Sequence, residues 1–439
     1  ASDLNETDEQ VDQQIHDAEL FSNDSPDCDP ATLHEHVWAQ PLNPVVSDAA
    51  GQGKHETKQQ TWLEAVRDGI AEEMRRNSEM LYLGAGIGER GGSFAHTKNL
   101  WQEFGGGRVI DTPISELAFT GAAIGAAAAG CPTVADLMFA DFLFEAASQI
   151  IHQAAKLHYV SNGQIRVPVV LRAGAGIIRN AGAHHSGMYH PIWAHVPGLI
   201  VVMPSTPADA KGLFKTALRS ANPVIFLEHK MLFNIKGEVP ADEDFLIPFG
   251  QARIVRGGSD LTVVSCGLML HRCLEAAAKL EAAEISCEII DLRTIVPLDV
   301  ETVAASVAKT RRLLVVDEGW SMCGLGAELA AAMMEHAFDQ LDGPVGRLHA
   351  ESVTHPFSPA LENAAIPSVD RIAAAARAVM AGRPPIPFRI KAEPAAGAED
   401  LAKADSTTTP DSQQGRAESG QESVEMASTG EPLCMPHGN

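Results

Sequence analysis

The chain has 439 residues, 45% hydrophobic, 21% charged and 5% aromatic, with 33 basic against 57 acidic residues and a net charge of −24. That length exceeds a single core and points to two or three domains, and that charge excludes a broad face for nucleic acid or an anionic membrane. The acidity sits at the ends: residues 1–30 carry −10, residues 391–439 carry −6, and the 360 residues between carry only −8.

Residues 1–56 are polar and read as an acidic, disordered extension. From there the chain alternates. Thr61–Arg76 has Trp62, Ala65, Val66, Ile70 and Met74 on one helical face. Met80–Leu83 reads as a strand entering the turn Gly84-Ala85-Gly86-Ile87-Gly88. Val109-Ile110 leads into Asp111-Thr112-Pro113-Ile114-Ser115-Glu116 and a helix of small residues running to Gly130. The uncharged run Leu117–Ala135 has the length of a membrane span, but its Gly and Ala content favours a buried helix. Thr133–Met138 reads as a strand and Phe142–Lys156 as a helix. Val167–Leu171, Leu199–Met203 and Val224–Leu227 read as buried parallel strands, with the helix Pro207–Leu218 between the last two. Residues 234–250, with Pro240, Pro248 and Gly250, break the pattern. A second block follows, with strands Leu261–Ser265, Ile285–Ile290 and Leu313–Val316 and helices Cys273–Glu281, Val300–Ala308 and Leu325–Ala337. The expected fold class is α/β with two parallel-sheet domains, 57–245 and 246–385, and a low-complexity tail over 386–439.

Seven scattered cysteines without a CxxC pair fit a reducing, intracellular setting and no zinc or iron–sulfur site. The acidic N-terminal stretch fits neither a secretory signal nor an Arg-rich transit peptide, although a processed precursor stays open.

Three features can carry chemistry. Gly84–Gly88 follows a strand, as a dinucleotide turn does. The fingerprint also needs a third Gly in place, a helix start and an acid about 20 residues on; here Glu89-Arg90-Gly91-Gly92 follows and no helix clearly starts. Glu116 opens a helix with Gly121, Gly125 and Gly130; it reads either as an ordinary first-turn acid or as a group serving a ligand that approaches the small-residue face. His184, His185, His190 and His195 are four histidines in twelve residues. Their spacings of one, five and five do not suit a helical metal pair, so a loop histidine acting as acid, base or donor fits better; surface histidines without a role are the other reading.

The ordered motifs resemble one family. They are Asp111-Thr112-Pro113-Ile114-Ser115-Glu116, Ala155-Lys156, Val167-Pro168-Val169-Val170, His185-Ser186, Pro197-Gly198-Leu199, Asp209-Ala210-Lys211-Gly212, Leu227-Glu228-His229-Lys230, Leu292-Arg293-Thr294-Ile295-Val296-Pro297-Leu298-Asp299 and Glu318-Gly319-Trp320. Over about 57–382 the chain resembles the β subunit of thiamine-diphosphate-dependent 2-oxo acid dehydrogenase E1 components of the pyruvate, branched-chain and acetoin types. The resemblance implies a pyrimidine-binding transketolase-like domain, then a transketolase C-terminal-like domain. It implies an α2β2 heterotetramer in which the E1 α subunit holds the diphosphate and Mg²⁺ through a Gly-Asp-Gly motif that this chain lacks. A lipoyl-bearing E2 acyltransferase would take the acyl group. The compartment implied is the cytoplasm, or the mitochondrial matrix for a processed eukaryotic chain.

By the same resemblance Glu116 is the carboxyl facing the aminopyrimidine ring nitrogen, and Phe142 is the aromatic that stacks on that ring. Ile114 and Met138 line the pocket. His185 donates to substrate or helps acyl transfer. A K⁺ ion on the backbone carbonyls of Val169, Ala217, Leu218, Ser220 and Asn222 is also implied. One departure stands out: the two acids usual after the first strand's Gly are Ala85 and Gly86 here. The alternatives are a thiamine-diphosphate carboligase of transketolase type without a lipoyl complex, or a non-catalytic subunit that keeps the fold.

Overall fold

The first sheet forms because its strands are short, apolar and β-branched, and alternate residues feed two different cores. The computed structural model describes residues 2–44 and 56–384. In spatial order the strands of this sheet are Thr294–Val296, Ile200–Val202, Val224–His229, Val169–Ala175, Thr133–Phe139, Leu81–Ala85 and Val109–Thr112. All neighbours pair parallel except Thr294–Val296, which runs antiparallel to Ile200–Val202. That strand comes from the segment expected to belong wholly to the second domain.

The second sheet orders Gly346–Ala350, Leu313–Trp320, Leu261–Ser265, Cys287–Asp291 and Arg253–Arg256, the last antiparallel. One face of the first sheet packs helix Trp62–Arg76 and helix Pro207–Arg219 through Trp62, Ile70, Leu213 and Phe214. Its other face shares one continuous core with the second sheet: Leu171, Leu199 and Ile225 meet Val264, Ile290 and Val315. The two α/β halves are therefore fused through their cores.

Local signals explain the helix starts. Thr61 Oγ1 accepts the Glu64 N–H, and the Glu64 carboxylate accepts the Thr61 N–H at 2.8 Å, a reciprocal capping box. Two buried lysines of the Pro207 helix, Lys211 and Lys215, reach Glu72 at 2.7 and 2.6 Å. Among the described residues no helix is long and apolar enough to cross a membrane. The uncharged run from Leu117 divides between the helix Glu116–Ala128 and the start of the strand Thr133–Phe139.

Two expectations change. Within 1–56, read as disordered, Ser2–Asp24 is a helix. Ala39 is buried, with its N–H and C=O both bonded to the Asn222 side chain at 2.8 and 2.9 Å; a polar composition hid this docking because a side-chain amide, not an apolar run, makes it. Phe142–Lys156 is not one helix but a 3₁₀ turn Ala140–Phe144, a π turn Gln149–Ala154 and one α turn Leu157–Val160. The tail over 386–439 lies outside the described residues.

Where the halves meet, Asp291 ends its strand buried beside Asp209, and Ser205 donates to it at 2.8 Å. Burial, and then the charge of Asp209, push the Asp291 carboxyl up to about 7. A carboxyl raised in the folded state keeps its proton where the unfolded chain has lost it. Its stabilising contribution is thus full below about pH 4 and is lost as pH rises through 7. Asp291→Asn keeps the acceptor for Ser205. Its unfolding free energy should exceed that of the parent by a margin that widens from pH 5 to pH 8, reaching on the order of 2 kcal/mol, as read from urea denaturation at each pH. A margin independent of pH would refute the assignment.

Candidate active site

Parallel strands deliver their C-terminal ends to one edge of the sheet, where ligand sites of open α/β folds form. Val109–Thr112 leads to Glu116, the first residue of its helix. Thr133–Phe139 leads to Met138 and Phe142, and Val169–Ala175 leads to the loop carrying His185.

The glycine turn has a different use from the dinucleotide one. Gly86, at φ +70°, donates its N–H to Asp111 Oδ1 at 2.6 Å, and Gly88 donates to Asp111 Oδ2 at 3.2 Å. The backbone N–H groups that a phosphate would need are held by an internal carboxylate. An acid thus stands over this turn although the two positions expected to bear one are Ala85 and Gly86.

Met138 sits at φ +59°, where the pairing register with Val169–Ala175 slips. Asp136 Oδ1 accepts the Met138 N–H at 3.1 Å, replacing a ladder bond. Asp136 Oδ2 accepts from Tyr82 at 2.6 Å and lies 2.8 Å from His96 Nε2. Arg172 donates to the Tyr82 hydroxyl at 2.8 Å and pairs with Glu228, which takes the Trp62 indole N–H at 2.7 Å. Burial alone would raise the Asp136 carboxyl, but the His96 and Arg172 charges outweigh it and hold it far below the ordinary carboxylate range.

An aromatic cluster joins two separately predicted residues. The His185 ring centre is 5.6 Å from Phe142 and 4.7 Å from Phe139, and Phe139 is 5.4 Å from Phe142. Beneath it the buried Lys230 ammonium lies 5.2 Å from the Phe139 ring centre and donates to the Gly174 carbonyl at 3.3 Å. Burial pulls this ammonium down to about 8.

The remaining expected residues fall as follows. Glu116 is half-buried and has no hydrogen bond or ion pair among the described residues. Ile114 is 85% exposed. His184 and His195 are exposed, while His190 is buried 3.2 Å from Asp317; among the described residues no group of three or more His, Cys, Asp or Glu could hold a metal. Of the residues implied for K⁺, the Ala217 carbonyl accepts the Ser220 N–H at 3.2 Å, and the Asn222 side chain is occupied by Ala39.

The single-residue reading missed Asp136, Arg172, Lys230, Glu318 and Glu362. A signal existed for two of them: charged residues close apolar strands at Glu228-His229-Lys230 and Asp317-Glu318, an expensive placement without a partner. A cleft of about 820 Å³ lies at the opposite end of the first sheet, among Arg76, Pro132, Arg166 and Arg219, and holds none of these residues.

Comparison with known proteins adds the following. Residues 58–236 match the transketolase pyrimidine-binding domain family, and residues 250–372 match the transketolase C-terminal domain family. The chain is 45% identical over 335 residues to the pyruvate dehydrogenase E1 component subunit beta of Rhizobium meliloti, covering 76% of this chain and 73% of that one. It is 46% identical over 328 residues to the acetoin:2,6-dichlorophenolindophenol oxidoreductase subunit beta of Cupriavidus necator, covering 72% and 96%. A solved split-gene transketolase, described as an inactive β4 tetramer, superposes with TM-score 0.61 at 22% identity over 73% of this chain and 98% of that one, a likeness of fold.

Proposed function

The chain belongs to the transketolase-like family of dehydrogenase E1 β subunits, and from that membership we propose that it forms the pyrimidine side of a thiamine-diphosphate site. Paired with an E1 α subunit as α2β2, it carries out oxidative decarboxylation of a 2-oxo acid, or cleavage of acetoin, and passes the acyl group to the lipoyl arm of an E2 acyltransferase. The observation that carries this reading is the meeting of His185 and Phe142 rings at 5.6 Å, beyond the ends of two neighbouring strands of the sheet whose edge strand Val109–Thr112 leads to Glu116.

The side chains suit an aminopyrimidine. Glu116 offers a carboxyl whose oxygens have no partner among the described residues, so one is available to a ring nitrogen. Phe142 offers an aromatic surface, and Met138 and Ile114 offer apolar walls. This set holds no cation, in keeping with a diphosphate and Mg²⁺ held by the α subunit. Bound thiamine diphosphate would supply a nucleophilic carbon to add to the donor's carbonyl and a cationic thiazolium ring to take up the electron pair released on decarboxylation. Glu116 holds and returns a proton opposite the pyrimidine nitrogen. Phe142, Met138 and Ile114 orient the ring and exclude water. His185 presents a ring N–H to the donor's oxygen and can supply a proton during acyl transfer. K⁺ on the carbonyls of Val169, Ala217, Leu218, Ser220 and Asn222, and a cytoplasmic or matrix location, belong to the same reading.

The test is reconstitution with an E1 α chain, thiamine diphosphate and Mg²⁺, following dye reduction with a panel of 2-oxo acids and acetoin. Turnover that needs both chains and the cofactor is expected. Failure of the assembled chains to bind the cofactor or to turn over any donor would reject the reading.

A further inference from the structure

We propose that Glu362 is a positioning residue for His185, acting as a latch by which the second half of the chain holds the histidine loop. The loop spans 176–188 and is closed at its neck by the Gly176 N–H donating to the Gly187 carbonyl at 3.1 Å. Two anchors come from close to the aromatic cluster. Glu318 accepts the Ile177 N–H at 2.9 Å while lying 2.8 Å from His229, and Asp141 accepts the Gly187 N–H and the Tyr189 hydroxyl, both at 3.3 Å.

Among the described residues no side chain of the first half hydrogen-bonds the outer end of the loop. Arg179 and Asn180 are both left-handed, at φ 41° and 62°, a conformation that only surrounding structure sustains in non-glycine residues. Glu362, on the short helix Pro359–Ala365, supplies that support. Its oxygens lie 3.1 and 3.3 Å from the Asn180 N–H. The carboxylate is only 5% exposed and has no ion pair among the described residues, so its charge-assisted bond to this one amide is costly to leave unmade. Lys230 and His355 are the cationic or titratable groups that feel its charge, and Asp141 and Glu318 act on the same two groups.

A second contact comes from the same segment. A Cβ on Gly182, at φ +78°, would stand 2.3 Å from the Phe357 ring. Residues 357–362 therefore cover the loop from Asn180 to Gly182, and His185 follows three residues later. The consequence for catalysis rests on the proposed role of His185; the hold on the loop does not.

Trypsin reports the hold directly, because Arg179 is exposed on the loop. In the full-length chain, Glu362→Ala should speed cleavage after Arg179 about tenfold, and Glu362→Gln, which keeps an acceptor, by less than about threefold. In the reconstituted enzyme Glu362→Ala should lower kcat about tenfold with KM within about twofold, and should add nothing in a His185→Ala background. Unchanged cleavage after Arg179, or an undiminished loss in the His185→Ala background, overturns the proposal. Should Glu362→Ala unfold the chain, Glu362→Gln and Gly182→Ala carry the same comparison, the latter with faster cleavage expected. Should His185→Ala leave turnover intact, the role given to His185 falls, and cleavage still decides whether Glu362 holds the loop.

Discussion

Glu116→Ala is expected to lower kcat of the reconstituted enzyme by about 100- to 1,000-fold, the range lost when a positioned acid–base group is removed. A half-buried acid at a helix start normally finds a backbone amide or a cation, and this one has neither among the described residues. It is free to exchange a proton with a ligand. Glu116→Gln separates holding from proton exchange: the amide fills the same space and can still form a hydrogen bond, but it cannot take up and return the proton. Its kcat should fall nearly as far as in the alanine variant, while thiamine-diphosphate binding by titration weakens less. Parental turnover in Glu116→Ala would end the assignment, and equal loss of binding and turnover in both variants would reduce Glu116 to a binding group.

Arg172→Met should destabilise the chain by about 3–5 kcal/mol, the cost of breaking a buried ion pair from one side. Arg172 is 3% exposed and pairs with a buried Glu228, while its other end bonds Tyr82 and stands 3.9 Å from Asp136. Removing the guanidinium leaves two buried carboxylates short of a cation and the Tyr82 hydroxyl short of a donor. The denaturation midpoint should drop in urea, with a melting temperature lower by about 5 °C. Arg172→Met combined with Glu228→Gln should recover part of the loss, because one of the stranded charges is gone. A midpoint equal to the parent's would show that the network adds nothing. The effect should reach the site as well, since Asp136 in the same network holds the Met138 N–H.

The layered α/β fold and most strands were legible because buried parallel strands are short apolar runs between breakers, as Leu261–Ser265 illustrates with its bounds reproduced. The strands that escaped lack that signature. Arg253–Arg256 is half charged, and Thr294–Val296 has three residues, too few for periodicity to register. Helix Gly267–Glu281 starts six residues earlier than its apolar pattern suggests, because Gly267, at φ +57°, reads as a breaker. The site divides in the same way. Phe142 and His185 were found through motifs, and the structure brings their rings together. The charged residues around them bond across long stretches of chain: Asp136 reaches Tyr82 54 positions away, Glu318 reaches Ile177 141 positions away and Glu362 reaches Asn180 182 positions away; no local pattern encodes such pairings.

The antiparallel strand Thr294–Val296 has a practical meaning for anyone dividing this protein. It caps the flank of the first sheet, so a fragment ending near residue 245 would leave Ile200–Val202 with a bare row of N–H and C=O groups. Such an open flank recruits strands from other molecules and favours aggregation. The reciprocal fragment would carry Thr294–Val296 with nothing to pair against. The two halves are thus expected to behave as one piece in expression and engineering, and a chimera is expected to stay soluble only when its crossover point carries that borrowed strand along with the sheet it closes.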